Sequence, residues 1–377
     1  MLTFIVSSTE LYEKLQQLNK VVPTKSTLPI LSNILFDIEG NTLKLIATDT
    51  SNTIITQMNL NNIDGNGKIC IDAKKLFDIL KEFGEQPVTF NINQENLSIE
   101  ITTQNGKYSL VGYDYKDYPQ IPTLKSNSNK FIISYEAISS GIQKTIFAVA
   151  NDPLRLVMNG IFFDITPNEI NFVSTDAHKL VRYKRFDVEV NFTDSFILSQ
   201  KSASLLKSII DKEKSVVNVS FDKQNAHFIV DKTELICRLI EGVFPAYNSV
   251  IPIDNPNKLN IDRVELMNSI KRVSIFSNPA TNLVRLQLTP NLITISAQDY
   301  DLSTSGIEQL SCEYEGTPME IGFKSSFLLD ILANHTSSSV IIELSDPTRA
   351  GLVLAAEEDT NVENTLMLIM PMKINVE

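Results

Sequence analysis

The sequence predicts an α+β fold made of three similar domains, each with two helices and mainly antiparallel sheets. The first observation behind this prediction is a repeated phrase, in which an apolar strand ends in a turn that carries an aspartate. The phrase occurs at Leu43–Asp49, Phe172–Asp176 and Leu292–Asp299. Its spacing of about 125 residues indicates an internal repeat. The second observation is that most segments between the predicted strands are too short to hold a helix, which favours antiparallel pairing.

Each repeat opens with a strand and a helix. In the first repeat, Phe4-Ile5-Val6 precedes a capping box from Ser7 to Glu10 and apolar residues at helical spacing from Leu11 to Val22. Ser134 and Asp262 are the predicted caps of the equivalent helices. Two strands follow each helix, and the order of strand, helix and strands then recurs within the same repeat.

The domain limits follow from this repeat. We predict domains at residues 1–125, 126–255 and 256–377, separated by the polar linkers Lys125–Lys130 and Ile253–Lys258. Each repeat closes on an aromatic residue or methionine followed by proline, as in Tyr118-Pro119.

Composition indicates a globular protein that does not enter a membrane. Of 377 residues, 43% are hydrophobic and 21% are charged, which are ordinary values for globular chains. No apolar run reaches the ~18 residues of a membrane span, and the N-terminal residues lack the features of a secretory signal. We therefore expect a soluble, cytoplasmic protein.

The charge is strongly negative but unevenly distributed. The net charge is −12, divided as −3, −1 and −8 over the three predicted domains. The total argues against a nucleic-acid partner, although a basic surface confined to a few helices would be compatible with it. Lys74, Lys201 and Lys324 occupy equivalent positions at the starts of three predicted helices, where phosphate is favoured. Three solvated lysines are the alternative interpretation.

No group of residues matches an enzyme, metal or cofactor site. His178 lies near Asp176, but no accompanying nucleophile motif occurs, so a turn histidine with a structural or binding role is favoured over a catalytic dyad. Gly65-Asn66-Gly67 is typical of a hairpin turn. The three cysteines stand alone in apolar runs, which predicts buried free thiols. We expect no catalysis, no cofactor and no metal.

The C-terminal segment Leu366–Ile374 is unusually apolar and carries three methionines. It is compatible with a final core strand. Pro371, however, stands between Met370 and Met372 and predicts that pairing breaks there and exposes them.

Four phrases together resemble the bacterial sliding clamp family, the β subunit of DNA polymerase III. They are T-L-P-I-L at 27–31, T-D-A-H-K-L at 175–180, L-I-E-G-V-F-P-A-Y at 239–247 and M-P-M-K-I at 370–374. The resemblance implies a DNA clamp fold in which two chains close head-to-tail as a homodimeric ring of six domains. Such a ring encloses double-stranded DNA without reading its sequence and acts as a processivity factor for the replicative polymerase.

The resemblance also implies a hydrophobic pocket for linear peptides. Its partners would be the DNA polymerase III alpha subunit, the clamp loader, repair polymerases and mismatch-repair proteins. The residues carried over by motif are Arg155, Met158, Thr175, Ala177, His178, Lys179, Leu180, Pro245, Val250, Leu368, Met370, Pro371 and Met372. The family often has glycine at Ala177 and arginine at Lys179 and Ser249, so the polar rim of the pocket differs here.

Two further sets of residues come from the same resemblance. The DNA-facing residues would be Lys25, Lys74, Lys201 and Lys207. Ring closure would join an edge strand of domain 1, through Tyr108 and Leu110, to Ile275 and Phe276 of the third-domain helix. The alternatives are a protein–protein scaffold that never encloses DNA and an enzyme that uses His178.

Overall fold

The structure is a computed structural model that describes residues 1–60, 62–126, 128–210, 216–358 and 361–374. Within these ranges the chain forms six α-helices. They are α1 (Ser8–Leu18), α2 (Ala73–Lys81), α3 (Tyr135–Thr145), α4 (Gln200–Ile209), α5 (Arg263–Ser274) and α6 (Ser325–Asn334).

The same ranges contain twenty-six strands. The first thirteen are β1 (Leu2–Ser7), β2 (Asn33–Glu39), β3 (Thr42–Thr48), β4 (Asn52–Asn59), β5 (Asn62–Asp64), β6 (Gly67–Asp72), β7 (Pro87–Ile92), β8 (Ser98–Thr102), β9 (Lys107–Val111), β10 (Asn129–Ser134), β11 (Gly160–Thr166), β12 (Glu169–Thr175) and β13 (Lys179–Arg185). The others are β14 (Asp194–Ser199), β15 (Val216–Phe221), β16 (Asn225–Val230), β17 (Thr233–Arg238), β18 (Asn257–Asp262), β19 (Leu283–Thr289), β20 (Leu292–Asp299), β21 (Thr304–Ser311), β22 (Glu313–Glu315), β23 (Met319–Lys324), β24 (Ser339–Leu344), β25 (Gly351–Ala355) and β26 (Glu363–Ile369).

The chain divides into two compact units. Unit 1 comprises Met1–Glu136 and Lys201–Leu239, and unit 2 comprises Ala137–Gln200 and Ile240–Glu377. Each unit therefore combines parts of two sequence repeats, with the central repeat contributing to both. The domain limits expected at 125/126 and 255/256 stay predictions.

Among the described residues, each unit contains two sheets. Unit 1 has a five-stranded sheet of order β5-β1-β7-β8-β9 and an eight-stranded sheet of order β10-β15-β16-β17-β4-β3-β2-β6. Unit 2 has a nine-stranded sheet of order β14-β11-β12-β13-β26-β25-β24-β18-β22 and a four-stranded sheet of order β21-β20-β19-β23. Every strand pair among the described residues is antiparallel. The predicted α+β class with antiparallel sheets is confirmed.

The repeated aspartate has the same local role in all three repeats. An Asp49 carboxylate oxygen accepts hydrogen bonds from the backbone N–H groups two and three residues later, at 2.9 and 2.6 Å. Asp176 does the same at 2.9 and 2.8 Å, and Asp299 at 3.0 and 3.4 Å. This Asx-type turn reverses the chain immediately after a buried strand. It explains why the phrase recurs.

The predicted caps Ser7 and Asp262 are confirmed, whereas Ser134 stays a prediction and the predicted end of the first helix is wrong. Ser7 accepts from the Glu10 N–H at 3.2 Å, and Asp262 accepts from the Glu265 N–H at 2.8 Å. The first helix ends at Leu18, however, so Val22 lies beyond it. Pro23 explains why Val22 is not helical, because a proline disfavours helical backbone in the residue before it.

Two of the three thiols are buried as predicted. Cys70 and Cys237 are fully buried, and burial raises their pKa to about 12. Cys312 is only half-buried, so the prediction is wrong for that residue. All three are free cysteines.

The helices that the structure describes are too short to cross a membrane. The longest α-helix in the described part of the chain is α5, with 12 residues. A span requires about 20 residues. No helix among the described residues has the length and apolar character of a membrane span.

The antiparallel pair β13–β26 joins the central and C-terminal repeats within unit 2. Its register runs over seven residue pairs, from Lys179 opposite Ile369 to Arg185 opposite Glu363. At the Glu363 end, the carboxylate accepts from Lys144 Nζ of α3 at 2.9 Å and from the Tyr183 hydroxyl. Burial acts to raise the pKa of Glu363, but the Tyr183 hydrogen bond and the Lys144 charge outweigh it, and the pKa lies below its usual range.

This network generates a stability prediction. Glu363→Gln should lower the free energy of unfolding at neutral pH by about 1–3 kcal/mol, because it weakens hydrogen bonds to a partly buried charge. The folded-state pKa of Glu363 is depressed, so its contribution is complete above the unfolded pKa and is lost as the pH falls through the folded pKa. The difference between variant and wild type should therefore shrink in acid. Urea unfolding between neutral and acidic pH measures it.

Glu100→Gln is the matched control. Glu100 pairs with Lys107 at 3.3 Å, but both side chains are largely exposed, so its loss should change stability by less than about 1 kcal/mol. Equal losses of unfolding free energy in the two variants would contradict the stabilising role of the Glu363 network.

Candidate functional site

A pocket of about 260 Å³ lies beside the turn that joins β12 to β13 in unit 2. Ten of the thirteen residues predicted for the peptide site line it. These are Met158, Thr175, Ala177, His178, Lys179, Leu180, Pro245, Val250, Leu368 and Met370. They come from four separate stretches of the sequence, which the fold brings together at one place.

The floor of the pocket is part of the apolar core. Leu180 of β13 lies directly opposite Leu368 of β26, and each side chain is 3% exposed. Both belong to a cluster of buried side chains that also contains Phe244 and Tyr247. Pairing of the two strands therefore creates the floor, and Met370, which follows β26 and is 41% exposed, stands at its border.

The wall of the pocket is the turn Thr175–Lys179. The Thr175 hydroxyl donates to the Lys179 carbonyl at 2.8 Å and accepts from the Ala177 N–H at 3.1 Å. The Met370 N–H donates to the His178 carbonyl at 2.8 Å, which joins the wall to the end of β26. Ala177 has φ +74°, in the left-handed region that favours glycine. The turn is thus a strained conformation held by several hydrogen bonds.

Two lining residues, Ala246 and Tyr247, were not among the predicted residues. Tyr247 is buried, and its hydroxyl donates to Asp164 at 2.6 Å. Burial and this hydrogen bond raise the pKa of Tyr247, so it remains a neutral donor. The signal was present in the sequence, because both residues end the phrase L-I-E-G-V-F-P-A-Y at 239–247.

Three predicted residues lie outside the pocket lining. Arg155 is exposed, and its Nε donates to Asp152 at 2.8 Å. Pro371 follows Met370 but does not line the cavity. Met372 is directed elsewhere, because its N–H donates to the Gly322 carbonyl at 2.8 Å and forms a bridge to the edge strand β23. The expected exposure holds for Met370, whereas Met372 is half-buried.

The Asp176 carboxylate stabilises the turn. Besides the backbone of His178 and Lys179, it contacts the Lys179 ammonium at 3.2 Å. The His178 ring stacks on Phe327 of α6, with 5.5 Å between ring centroids. These contacts support the structural interpretation of the pair over a catalytic dyad.

All four lysines predicted to face DNA lie in unit 1 and are exposed. Lys74 lies in the first turn of α2, and Lys25 follows α1. Lys201 and Lys207 lie on α4, where Lys201 forms an ion pair with Asp49 that partly neutralises it. Lys324 is the third lysine predicted at the start of a helix. It precedes α6, and its Nζ lies 4.7 Å from the centre of the Phe327 ring.

The strand predicted for ring closure in domain 1 is an edge strand. β9 ends the five-stranded sheet of unit 1. Tyr108 is 37% exposed and packs on Phe83, with 5.5 Å between the ring centroids, and Leu110 is half-buried.

The corresponding residues of unit 2 lie beside another edge strand, β21. Ile275 and Phe276 follow α5 and do not belong to it, because the helix ends at Ser274. Ile275 is 78% exposed, and the Phe276 ring covers Gly306 of β21 so closely that a Cβ there would lie 2.6 Å from it. Nearby, Arg272 binds Glu308 through two hydrogen bonds of 2.7 Å.

Three family models match the chain in consecutive order. They describe the N-terminal, central and C-terminal domains of the DNA polymerase III beta subunit and match residues 2–122, 133–246 and 248–373.

Curated relatives and solved structures agree with these matches. The beta sliding clamp of Chlamydia pneumoniae is 27% identical over 99% of this chain and 99% of its own length. The beta sliding clamp of Vibrio cholerae is 27% identical over 98% of this chain and all of its own. The crystal structure of the DNA polymerase III subunit beta from Pseudomonas aeruginosa covers 99% of this chain and 100% of its own, with a TM-score of 0.93 and 25% identity.

The strained turn yields a prediction that is independent of any ligand. Ala177→Gly should raise the free energy of unfolding by about 0.5–1 kcal/mol. It removes a left-handed strain of about 1–2 kcal/mol, which the greater backbone entropy of glycine partly offsets. Urea unfolding of the variant and the wild type measures this difference.

Ala246→Gly is the control in the same pocket. Ala246 has φ −68°, which any residue adopts, so its replacement should only lower stability. A loss of stability in Ala177→Gly as well would show that the turn stores no strain.

Proposed function

The chain belongs to the family of the DNA polymerase III beta subunit and has its three-domain clamp fold, and from this premise we propose that it is the processivity clamp of a DNA polymerase. In this role it encloses duplex DNA as a homodimeric ring and tethers polymerases through the pocket at the end of β13. The observation that carries the tethering function is the apolar floor of that pocket, with Leu180 and Leu368 paired across β13 and β26.

The pocket suits the apolar side chain of a linear peptide. A volume of about 260 Å³ accommodates one or two aliphatic or aromatic side chains. Their burial is favourable by roughly 25 cal/mol per Å² of apolar surface. The partners we propose are the DNA polymerase III alpha subunit, the clamp loader, repair polymerases and mismatch-repair proteins, which would compete for the same site.

The proposed DNA contacts are phosphate contacts from unit 1. Lys25, Lys74, Lys201 and Lys207 are exposed and carry flexible point charges. Contacts to phosphate alone carry no sequence information, so the ring can slide. The net charge of −12 is compatible with this role because most of the net negative charge, −8, lies in residues 256–377, where basic residues are few.

Ring closure is proposed to pair β9 of one copy with β21 of the other. Both are edge strands, and an uncovered edge invites pairing with another chain. Tyr108 and Leu110 would meet Ile275 and Phe276 across this junction.

The remaining proposals concern boundaries and chemistry. We place the three domains at residues 1–125, 126–255 and 256–377, and we propose that the clamp catalyses no reaction of its own. The rival function is a protein–protein scaffold that uses the pocket without enclosing DNA.

Met370→Ala tests the peptide pocket. Met370 lines the cavity and is 41% exposed, so its truncation should weaken binding of a clamp-binding peptide from a DNA polymerase III alpha subunit by about tenfold, as for a moderate contact residue. Fluorescence anisotropy with a labelled peptide measures the dissociation constant.

Met372→Ala is the matched control for this change. Met372 is the same residue type two positions later, but it lies outside the lining and bonds to Gly322. Its variant should bind the peptide as the wild type does. A loss of peptide binding in Met372→Ala but not in Met370→Ala would show that the peptide binds at another site.

The ring itself is tested by solution mass and by retention on DNA. Light scattering behind a sizing column should give twice the chain mass of 42.2 kDa at micromolar concentration. After loading by a clamp loader, the protein should stay on a closed circular plasmid and be released when the plasmid is cut, because a topological link has no other exit. A dimer that is lost equally from circular and linear DNA would favour the scaffold.

A further inference from the structure

The pocket wall is held from outside by helix α6, which contributes no residue to the lining. Lys179, at the end of the turn, extends its ammonium group to Asp330 of α6 at 3.1 Å. His178 stacks on Phe327 of the same helix, one turn before Asp330. Two successive residues of the wall are thus bound by two residues on one face of α6.

Lys179 requires such partners because it is buried. Its side chain is 7% exposed, and a buried ammonium group without partners is strongly unfavourable. It has two carboxylates, Asp176 at 3.2 Å and Asp330 at 3.1 Å, and it lies 4.7 Å from the centre of the Phe327 ring. Asp176 is already engaged by the backbone of the turn, so Asp330 supplies the second, external carboxylate.

Phe327 makes the second contact between α6 and the wall. Lys179 and Lys324 both direct their ammonium groups at its ring, each at 4.7 Å, and His178 stacks on it. Aromatic faces attract cations, and the interaction strengthens when water is excluded. The ring therefore orients the side chains of both His178 and Lys179.

The wall needs external support because its backbone is strained. Ala177 adopts φ +74° between Asp176 and His178. Such a conformation persists in a residue with a Cβ only where the surroundings enforce it. The hydrogen bonds within the turn are local, whereas the contacts with α6 and the bond from the Met370 N–H to the His178 carbonyl fix the turn relative to the rest of unit 2.

We propose that Asp330 and Phe327 are positioning residues, which hold the Thr175–Lys179 turn in the conformation that forms the peptide pocket. Helix α6 thereby sets the affinity of a pocket that it does not line. This inference rests on the proposed peptide-binding function and names the element that controls it.

The test compares Asp330→Asn with Asp78→Asn. The two aspartates stand in the same phrase, D-I-L, on α6 and α2. Asp78 is exposed and belongs to unit 1, remote in sequence from the pocket. Asp330→Asn should weaken binding of the labelled alpha-subunit peptide about five- to tenfold, since Asp330 is half-exposed and its ion pair is partly screened. Asp78→Asn should leave binding unchanged, and Asp330→Glu should restore most of it.

A second readout reports the position of the wall directly. The chain has only three histidines, so the ring resonances of His178 can be assigned by substitution and followed by carbon–proton NMR. Stacking on Phe327 shifts them, and Asp330→Asn should move them toward the values of a solvated histidine, whereas Asp330→Glu should not. A role of Asp330 in general stability alone would leave these resonances unchanged.

The outcomes separate the inference from the proposed function. If the wild type binds the peptide, the inference is overturned when Asp330→Asn binds equally well, or when it binds weakly with unchanged His178 resonances. If the wild type binds no peptide, the proposed function itself fails, whatever the His178 resonances show. A loss of affinity together with displaced His178 resonances, both restored by glutamate, supports the inference.

Discussion

The antiparallel pairing of β13 with β26 is the interaction on which the rest of unit 2 depends. It connects strands that are separated by about half of the chain and converts two smaller sheets into one of nine strands. Its two ends have different chemistry. At one end Glu363 gathers Lys144, Tyr183 and Arg185 into a charged network, and at the other end Leu180 and Leu368 form an apolar floor beneath a pocket. The junction between two repeats is thus both a structural joint and the candidate binding site.

Lysine has three different roles in this fold, and its surroundings decide which. Lys144 and Lys179 lie against carboxylates and aromatic rings, where they hold elements of unit 2 together. Lys74 and Lys207 lie exposed on helices of unit 1, where we propose contacts with phosphate. Lys201 combines exposure with an ion pair to Asp49. Net charge could not distinguish these cases, because partners and burial determine the effect of each cation.

The repeat was predictable because its signals are local. An aspartate after an apolar strand caps a turn through the backbone two and three residues later, and Asp49, Asp176 and Asp299 all do so. A serine or aspartate before a helix accepts a hydrogen bond from the backbone N–H three residues later, as Ser7 and Asp262 do. Ten pocket residues were identified through the resemblance to a known family, seven of them within the quoted phrases, and Tyr247 was missed although it ends one of those phrases.

The sequence by itself determined the three repeats, the α+β class, the antiparallel strands and the residues that surround the turn at Asp176, because each depends on interactions between near neighbours or on a quoted motif. Only the tertiary structure decided that Met370 borders the pocket while Met372 pairs with Gly322, and that Phe327 and Asp330 support the wall. Asp330 lies 151 residues from Lys179 in the chain. A contact at that separation depends on how whole sheets and helices pack, and no local pattern of residue types encodes it.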